Sequence, residues 1–192
     1  MLKNKLKIFN AAPRRVVKQR SFLTAFTLIE AIMVIVIVAI LAVLAVPRFE
    51  TFYFIKLNGA VKKVVADIRY IQQLAVSEHT DTKLVFNTVT ESYSAQKFNP
   101  AAGGWVNITD PFTRANLSVN FTTDPQYKGL NISTTNLLSN TLRFDWQGNP
   151  QEGTDAAPVN LTVERRVTFI YINSSNNLSI YVTPNTGRVR VE

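Results

Sequence analysis

The sequence predicts an α+β protein in which one long N-terminal helix packs on an antiparallel β-sheet. Two observations lead to this fold class. An apolar run over residues 26–46 continues into a segment of helical periodicity that ends near residue 80. From residue 81 the pattern changes to short alternating stretches separated by turn residues. We therefore expect four segments, which are a leader (1–25), a membrane helix (26–47), its amphipathic continuation (48–80) and a β-rich domain (81–192).

The leader is basic and contains no acidic residue. The whole chain has 21 basic and 13 acidic residues and a net charge of +8, and seven of the basic residues lie in the leader. Without the leader, 14 basic residues remain against 13 acidic ones, which gives a net charge of +1. The strong positive charge belongs to the leader, so it does not indicate a nucleic-acid-binding domain.

Residues 26–46 are apolar except for Thr27 and Glu30. As a helix they would extend about 31 Å, close to the ~30 Å hydrocarbon thickness of a bilayer. The run is longer than the apolar core of a secretory signal peptide. Because basic residues precede it, the positive-inside tendency predicts a cytoplasmic N-terminus and a non-cytoplasmic chain from Arg48 onward.

Glu30 is costly in an apolar segment, by about 2.5–3.5 kcal/mol at the centre of a bilayer and less toward its interface. Two roles fit its position. If the chain is cleaved before Phe26, the carboxylate can pair with the new terminal amine of its own or a neighbouring subunit. Alternatively, it lies near a helix N-terminus, where the helix dipole favours negative charge. Both roles remain open from the sequence.

The motif Ala25-Phe26-Thr27-Leu28-Ile29-Glu30, its basic leader, the apolar run and Pro47 together resemble the processing region of type IV pilins and type II secretion pseudopilins. The resemblance implies that a prepilin peptidase cleaves between Ala25 and Phe26, and that Phe26 is then N-methylated. It also implies that Glu30 guides assembly and that Pro47 bends the anchor helix. Ala25 stands where the family usually has glycine.

The same resemblance implies partners and a location. The partners are other pilins or pseudopilins through the N-terminal helix, the prepilin peptidase and an inner-membrane assembly platform. The protein is expected to cross the bacterial inner membrane once, with a cytoplasmic N-terminus and a periplasmic C-terminal domain. It then enters a pilus or pseudopilus.

The helix is expected to continue past the apolar run with one buried stripe. The residues of this stripe recur at helical spacing, at Val61, Val64, Val65, Ile68, either Ile71 or Gln72, and Ala75. The charged residues between them are expected on the other faces, at Lys62, Lys63, Asp67 and Arg69. Pro47 and Asn58-Gly59 are weak points of this helix. The aromatic cluster Phe49, Phe52, Tyr53 and Phe54 fits either an interfacial belt at the membrane or a contact with neighbouring pilin helices.

Seven stretches after residue 81 have the composition of strands. They are residues 83–87, 92–96, 117–121, 142–144, 167–172, 178–182 and 188–191. Segments 67–76, 84–86, 142–145 with Gly148, and 180–189 resemble minor pilins and pseudopilins of the GspH/FimT group. This resemblance implies a pilin-like fold and a low-abundance structural subunit at the tip of an envelope filament.

The residue types needed for catalysis are sparse. The chain has no cysteine and one histidine, so no zinc constellation is evident, and it has no phosphate-binding glycine motif. We expect no enzyme, no catalytic residue, no metal and no cofactor. His79 follows the predicted helix, where a cation would favour the dipole.

Arg188 and Arg190 form the one site-like pattern of the outer domain. On a strand they would project from the same face, and two guanidinium groups suit a phosphate backbone. A similar Gly-Arg-x-Arg ending occurs in FimT-type minor pilins linked to DNA uptake, so the alternative function is DNA capture by this pair. The competing interpretation is a charged edge strand that discourages strand addition.

Overall fold

The computed structural model describes residues 27–172 and 175–192, without the side chains of residues 45–51. The chain divides into two compact units, Met1–Ala42 and Val43–Glu192. One long helix, α1 (Leu28–Glu78), begins in the first unit and ends in the second. The prediction of a long N-terminal helix is confirmed.

The predicted stripe of α1 forms the centre of the core. Val61, Val64, Ile68, Ile71 and Ala75 are all fully buried, and Val65 is 8% exposed. Spacings of three and four residues place these side chains on one face, which packs against the sheets. Asp67 was expected on another face, and that expectation is wrong because the residue is only 5% exposed.

The β-strands form two antiparallel sheets, where the sequence predicted one. The larger sheet contains β1 (Thr82–Asn87), β2 (Ser92–Asn99), β3 (Gly104–Asn107), β4 (Ser118–Asn120), β6 (Thr141–Phe144), β7 (Pro150–Thr154) and β8 (Ala157–Asn160). Its order is β3-β2-β1-β6-β7-β8, and β4 also pairs with β2. The smaller sheet contains β5 (Leu130–Thr135), β9 (Arg165–Tyr171), β10 (Asn177–Val182) and β11 (Val189–Val191), in the order β11-β10-β9-β5.

Each of the seven predicted strand stretches overlaps an observed strand, whereas β3, β5, β7 and β8 were not predicted. Among the unpredicted strands, β7 and β8 are poor in the alternation that identifies a strand, whereas β5 alternates apolar and polar residues from Leu130 to Ser133 and was overlooked. β7 begins at Pro150 and contains Gly153, and β8 contains Pro158. Proline is tolerated in strands at their first residue and at sheet edges, and β8 is an edge.

Aromatic rings join the two sheets in one core. Phe121 lies after β4, with its ring centroid 5.8 Å from that of Tyr93 on β2 and 5.9 Å from that of Phe169 on β9. All three side chains are buried. The helix stripe and both sheets therefore share a single hydrophobic cluster.

Candidate functional site

The first half of α1 exposes its apolar side chains. Between Leu28 and Leu44 the large apolar residues are 45% to 78% exposed. Most globular helices have an apolar stripe and a polar face, whereas this segment is apolar on all sides. An exposed apolar surface of this size is typical of a membrane or protein contact. Over the described residues, no helix combines the length and mean hydropathy expected of a membrane-spanning segment.

Thr27 and Glu30 define the start of α1. The Glu30 backbone N–H donates to the Thr27 Oγ1 at 3.3 Å, and the Ala31 N–H donates to the Thr27 carbonyl oxygen at 3.1 Å. Thr27 thus occupies the N-cap position, with an acid three residues later, which is the sequence of a capping box. Glu30 is exposed in the first turn, where the helix dipole favours a carboxylate.

The processing residues Ala25 and Phe26 lie outside the described residues. Pro47 lies within the bounds of α1, but its side chain is among those not described. The predicted cleavage, methylation and helix-bending roles therefore stay predictions.

The aromatic residues after the apolar run differ in their surroundings. Phe52 and Phe54 are 50% and 40% exposed. Tyr53 instead stacks on Tyr171 at the end of β9, with a ring-centroid distance of 4.6 Å and an interplanar angle of 18°. The cluster therefore contains both a contact within the domain and free apolar surface, and its two proposed roles stay open.

Asp67 is the centre of a polar cluster that the sequence analysis missed. Its Oδ1 accepts a hydrogen bond from the Lys63 Nζ at 2.6 Å, and its Oδ2 accepts one from the Tyr93 hydroxyl at 2.6 Å. Lys63 also lies 3.5 Å from the Asp110 Oδ2. Position 67 is three residues after Val64 and four before Ile71, so the helical spacing itself could have placed this acid among the buried residues.

The cluster shifts the ionisation of its members. Burial and the neighbouring Asp67 charge raise the pKa of the Tyr93 hydroxyl well above its ordinary value. Burial lowers the pKa of Lys63, but hydrogen bonding and charge from Asp67, with a smaller effect of Asp110, outweigh it and leave the pKa raised. Burial raises the pKa of Asp110, but the N–H groups of Thr113 and Phe112 and the Lys63 charge outweigh it and leave the pKa lowered. The cluster is thus held with Lys63 charged and Tyr93 neutral.

Gln72 joins α1 to two turns of the outer domain. Its Nε2 donates to the Gly148 carbonyl oxygen and to the Thr186 carbonyl oxygen, both at 3.0 Å. Gly148 belongs to the turn between β6 and β7, and Thr186 to the turn between β10 and β11. One helix side chain therefore fixes a turn from each sheet.

Arg188 and Arg190 differ in their partners. Arg188 is exposed and precedes β11 instead of lying within it. Arg190 lies on β11, an edge strand, and contacts the carboxylates of Glu164 (2.8 Å) and Glu192, with the Tyr181 ring centroid 4.5 Å from its Cζ. The hydrogen bond to Glu164 raises the pKa of Arg190, and that bond correspondingly lowers the pKa of Glu164. The two arginines therefore do not form a matched pair of free cations.

His79 ends the helix in a left-handed conformation (φ 51°), and its ring lies 6.3 Å from that of Trp146 in a stacked arrangement. Among the described residues, no three histidine, cysteine or acidic side chains cluster as metal ligands.

Solved structures resemble this chain. Two structures of the minor pseudopilin EpsH from the type II secretion system of Vibrio cholerae are 9% and 8% identical to it, each with a TM-score of 0.51. Each match covers 71% of this chain and 96% or 95% of the pseudopilin chain. The type IV minor pilin FimU of Pseudomonas aeruginosa is 14% identical over 71% of this chain and 87% of its own, with a TM-score of 0.43, too low to bear on the fold. No family model matches the chain, and no curated protein matches its sequence.

The chain has the fold of a GspH-type minor pseudopilin.

This pilin-like fold is the one that the GspH/FimT resemblance implied, with a long helix on antiparallel strands. The structure shows what two of the segments that carried the resemblance do in the fold. Gly148 and the turn before Arg188 are where Gln72 of α1 contacts the outer domain. By contrast, the residues with the clearest local motif, Ala25 and Phe26, lie outside the described part.

Proposed function

We propose that this pilin-like chain is a minor structural subunit of an envelope filament, either a type IV pilus or a type II secretion pseudopilus. The observation that supports the proposal is the exposed apolar surface of residues 28–44, on a helix whose second half is buried in a pilin-like domain. Such a surface needs lipid or other apolar helices around it. It suits a subunit that waits in a membrane and then packs against neighbouring subunits, at the filament tip and without enzymatic activity.

The proposal includes processing and topology. A prepilin peptidase removes residues 1–25, and Phe26 becomes the methylated N-terminus. The helix then crosses the inner membrane once, with the leader side in the cytoplasm and the β-rich domain in the periplasm. Glu30 pairs with the Phe26 amine of its own or a neighbouring subunit during assembly on the inner-membrane platform.

Mass spectrometry of the mature N-terminus tests this function. In cells that assemble filaments, we expect a chain that begins at Phe26 and carries one additional methyl group. An Ala25→Gly variant keeps a small residue at the cleavage site and should give the same product. An intact leader in filament-competent cells would overturn the proposal.

A second candidate function is DNA capture. Arg188 is exposed beside an edge strand, and a free guanidinium group there can contact a phosphate. Arg190 supports this candidate less, because Glu164 and Glu192 already lie against it. Replacing both arginines with glutamine should abolish salt-sensitive DNA binding by the full chain. If the double variant binds as the parent does, or if the parent does not bind, this candidate fails.

A further inference from the structure

A cavity of about 400 Å³ lies between α1 and the end of the smaller sheet. It combines two tyrosines and two lysines with apolar and backbone surface, and acidic side chains are absent from its described lining. The lining residues are Tyr53, Lys56, Pro125, Lys128, Gly129, Tyr171 and Ile172.

The rings of this cavity are held in place by the backbone before β5. Gly129 has a φ of +99°, and a Cβ at that position would lie 2.8 Å from the Tyr171 Cζ. Only glycine therefore allows the Tyr171 ring to lie against this backbone. The Tyr171 hydroxyl donates to the Lys128 carbonyl oxygen at 3.3 Å, and the Ile172 N–H donates to the Gly129 carbonyl oxygen at 2.8 Å. From α1, the Tyr53 ring stacks on the same Tyr171 ring.

The charge of the cavity is positive and uncompensated within the described side chains. No salt bridge is found there for Lys56 or Lys128, whereas Lys63, Lys83 and Lys97 each contact an acid. The Lys56 Nζ lies 4.9 Å from the Phe52 ring centroid. Two cations beside two rings, without an acid in the described lining, are complementary to an anion that carries an apolar body.

Exposed apolar residues surround the same region. Phe52 is 50% exposed, Ile55 63%, Phe54 40% and Ile172 46%. Aromatic rings with lysines at their edge are the composition of a membrane interface. At about 1.5 Å per residue, Tyr53 lies about 10 Å along α1 beyond Val46, the last residue of the apolar run. For a helix along the bilayer normal, that distance lies just beyond the headgroup layer, which extends about 5–8 Å on each side of the hydrocarbon, so the cavity faces the outer edge of the headgroups.

We propose that this cavity binds the phosphodiester headgroup of an anionic phospholipid. Lys56 and Lys128 contact the phosphate oxygens, while the Tyr53–Tyr171 pair and Ile172 contact the uncharged atoms of the headgroup beside the phosphate. The bound lipid holds the β-rich domain against the membrane before the subunit enters a filament. This inference rests on the proposed function, since it requires that the apolar helix be in a membrane.

Fluorescence quenching of the full chain in lipid nanodiscs tests the lipid site. The chain has no cysteine, so a Gln126→Cys variant carries a single fluorophore beside the cavity. Nanodiscs are made from phosphatidylcholine alone or with phosphatidylglycerol, each with a headgroup-nitroxide lipid as quencher. We expect stronger quenching with phosphatidylglycerol. A Lys56→Gln/Lys128→Gln variant should lose this increase in quenching. Each lysine near an anionic surface shifts the docking equilibrium by about fivefold.

The matched control is Lys62→Gln/Lys97→Gln, which removes the same charge from other parts of the surface and should retain the gain. Equal quenching in both lipids, or a gain that survives in Lys56→Gln/Lys128→Gln, would overturn the lipid site while leaving the filament function intact. Equal quenching in both lipids by a parent chain that binds inorganic phosphate through these lysines would identify a free-phosphate site instead. A chain that does not co-purify with nanodiscs would overturn the proposed anchor and the lipid site together.

Discussion

Gln72 binds two turns of the outer domain through one amide nitrogen, and two glycines make room for it. A Cβ on Gly187 would lie 2.7 Å from the Gln72 Nε2 and 2.7 Å from the Phe144 Cε1. A Cβ on Gly148 would lie 2.9 Å from the Val76 Cγ2. Both glycines also have positive φ angles, +64° and +84°. Helix and turns therefore approach each other more closely than side chains at these positions would allow.

Replacing Gly187 with alanine should destabilise the fold by about 2–4 kcal/mol. The left-handed backbone accounts for about 1–2 kcal/mol of this, and the rest comes from the steric overlap with Phe144 and Gln72. The matched control is Gly59→Ala, because Gly59 lies in the helix and a Cβ there would have nothing within 4 Å. That variant should be about 0.5–1 kcal/mol more stable than the parent. Urea unfolding followed by circular dichroism measures both, and equal effects of the two variants would contradict the packing argument.

Single residues were predictable where a motif is local and not where partners come from distant elements. Glu30 was expected near a helix N-terminus and lies in the first turn of α1, whereas the capping role of Thr27 was not predicted. The burial of Asp67 depends on Tyr93, which lies 26 residues later. The helical spacing alone could have placed Asp67 on the buried face, but its charge led to a surface assignment because its partner cannot be identified from nearby residues.

At the scale of elements, α1 was predictable because one face repeats over many turns. Residues 61 to 75 keep helical spacing, and the first residue of the helix was misplaced by only two positions. β7 and β8 have weak patterns because tertiary pairing, and not composition, makes them strands. β8 is exposed at every residue and is held by its pairing with β7, and no apolar alternation marks it.

The attachment of α1 to the loop after β3 should respond to acid. The folded-state pKa of Asp110 is lowered. The contribution of the Asp110 carboxylate to stability is therefore complete above the ordinary aspartate pKa of about 3.9, and it is lost as the pH falls through the folded-state pKa. An Asp110→Asn variant should be less stable than the parent at neutral pH, with a difference that shrinks in this acid range. Unfolding in urea at a series of pH values measures it.

Lys63 and its neighbour Lys62 provide the control for this acid response. Lys63→Gln removes one of the groups that lower the Asp110 pKa, so the acid-dependent loss of stability should be smaller than in the parent but still present, since two backbone N–H groups remain. Lys62 is exposed, and Lys62→Gln should leave the profile unchanged. An Asp110→Asn difference that is constant with pH would show that the contact is not electrostatic.

At the scale of the whole molecule, sequence patterns could not predict that the strands divide into two sheets. Alternation identifies strands but not their partners, because pairing depends on which strands meet after the chain has folded. The links between the sheets are few and specific. The Glu91 carboxylate accepts from the Ile132 N–H on β5, and Phe121 contacts rings of both sheets. A buried polar link is made by Glu152 on β7, which is 3% exposed and contacts Arg165 on β9.

Glu152 should therefore couple the unfolding of the two sheets. Its Oε1 accepts from the Arg165 Nε at 2.9 Å, and its Oε2 accepts from the Leu138 N–H at 3.0 Å. Glu152→Ala leaves a largely buried guanidinium and a backbone donor without their acceptor, so we expect a loss of about 3–5 kcal/mol. Glu78→Ala removes an exposed partner of Lys97 and should cost about 0–1 kcal/mol.

Hydrogen exchange gives the second readout, because without Glu152 the amides of β9 and β10 should lose protection while those of β1 and β2 keep more of theirs. Equal loss of protection in both sheets would mean that the shared aromatic core, and not this ion pair, makes them unfold together.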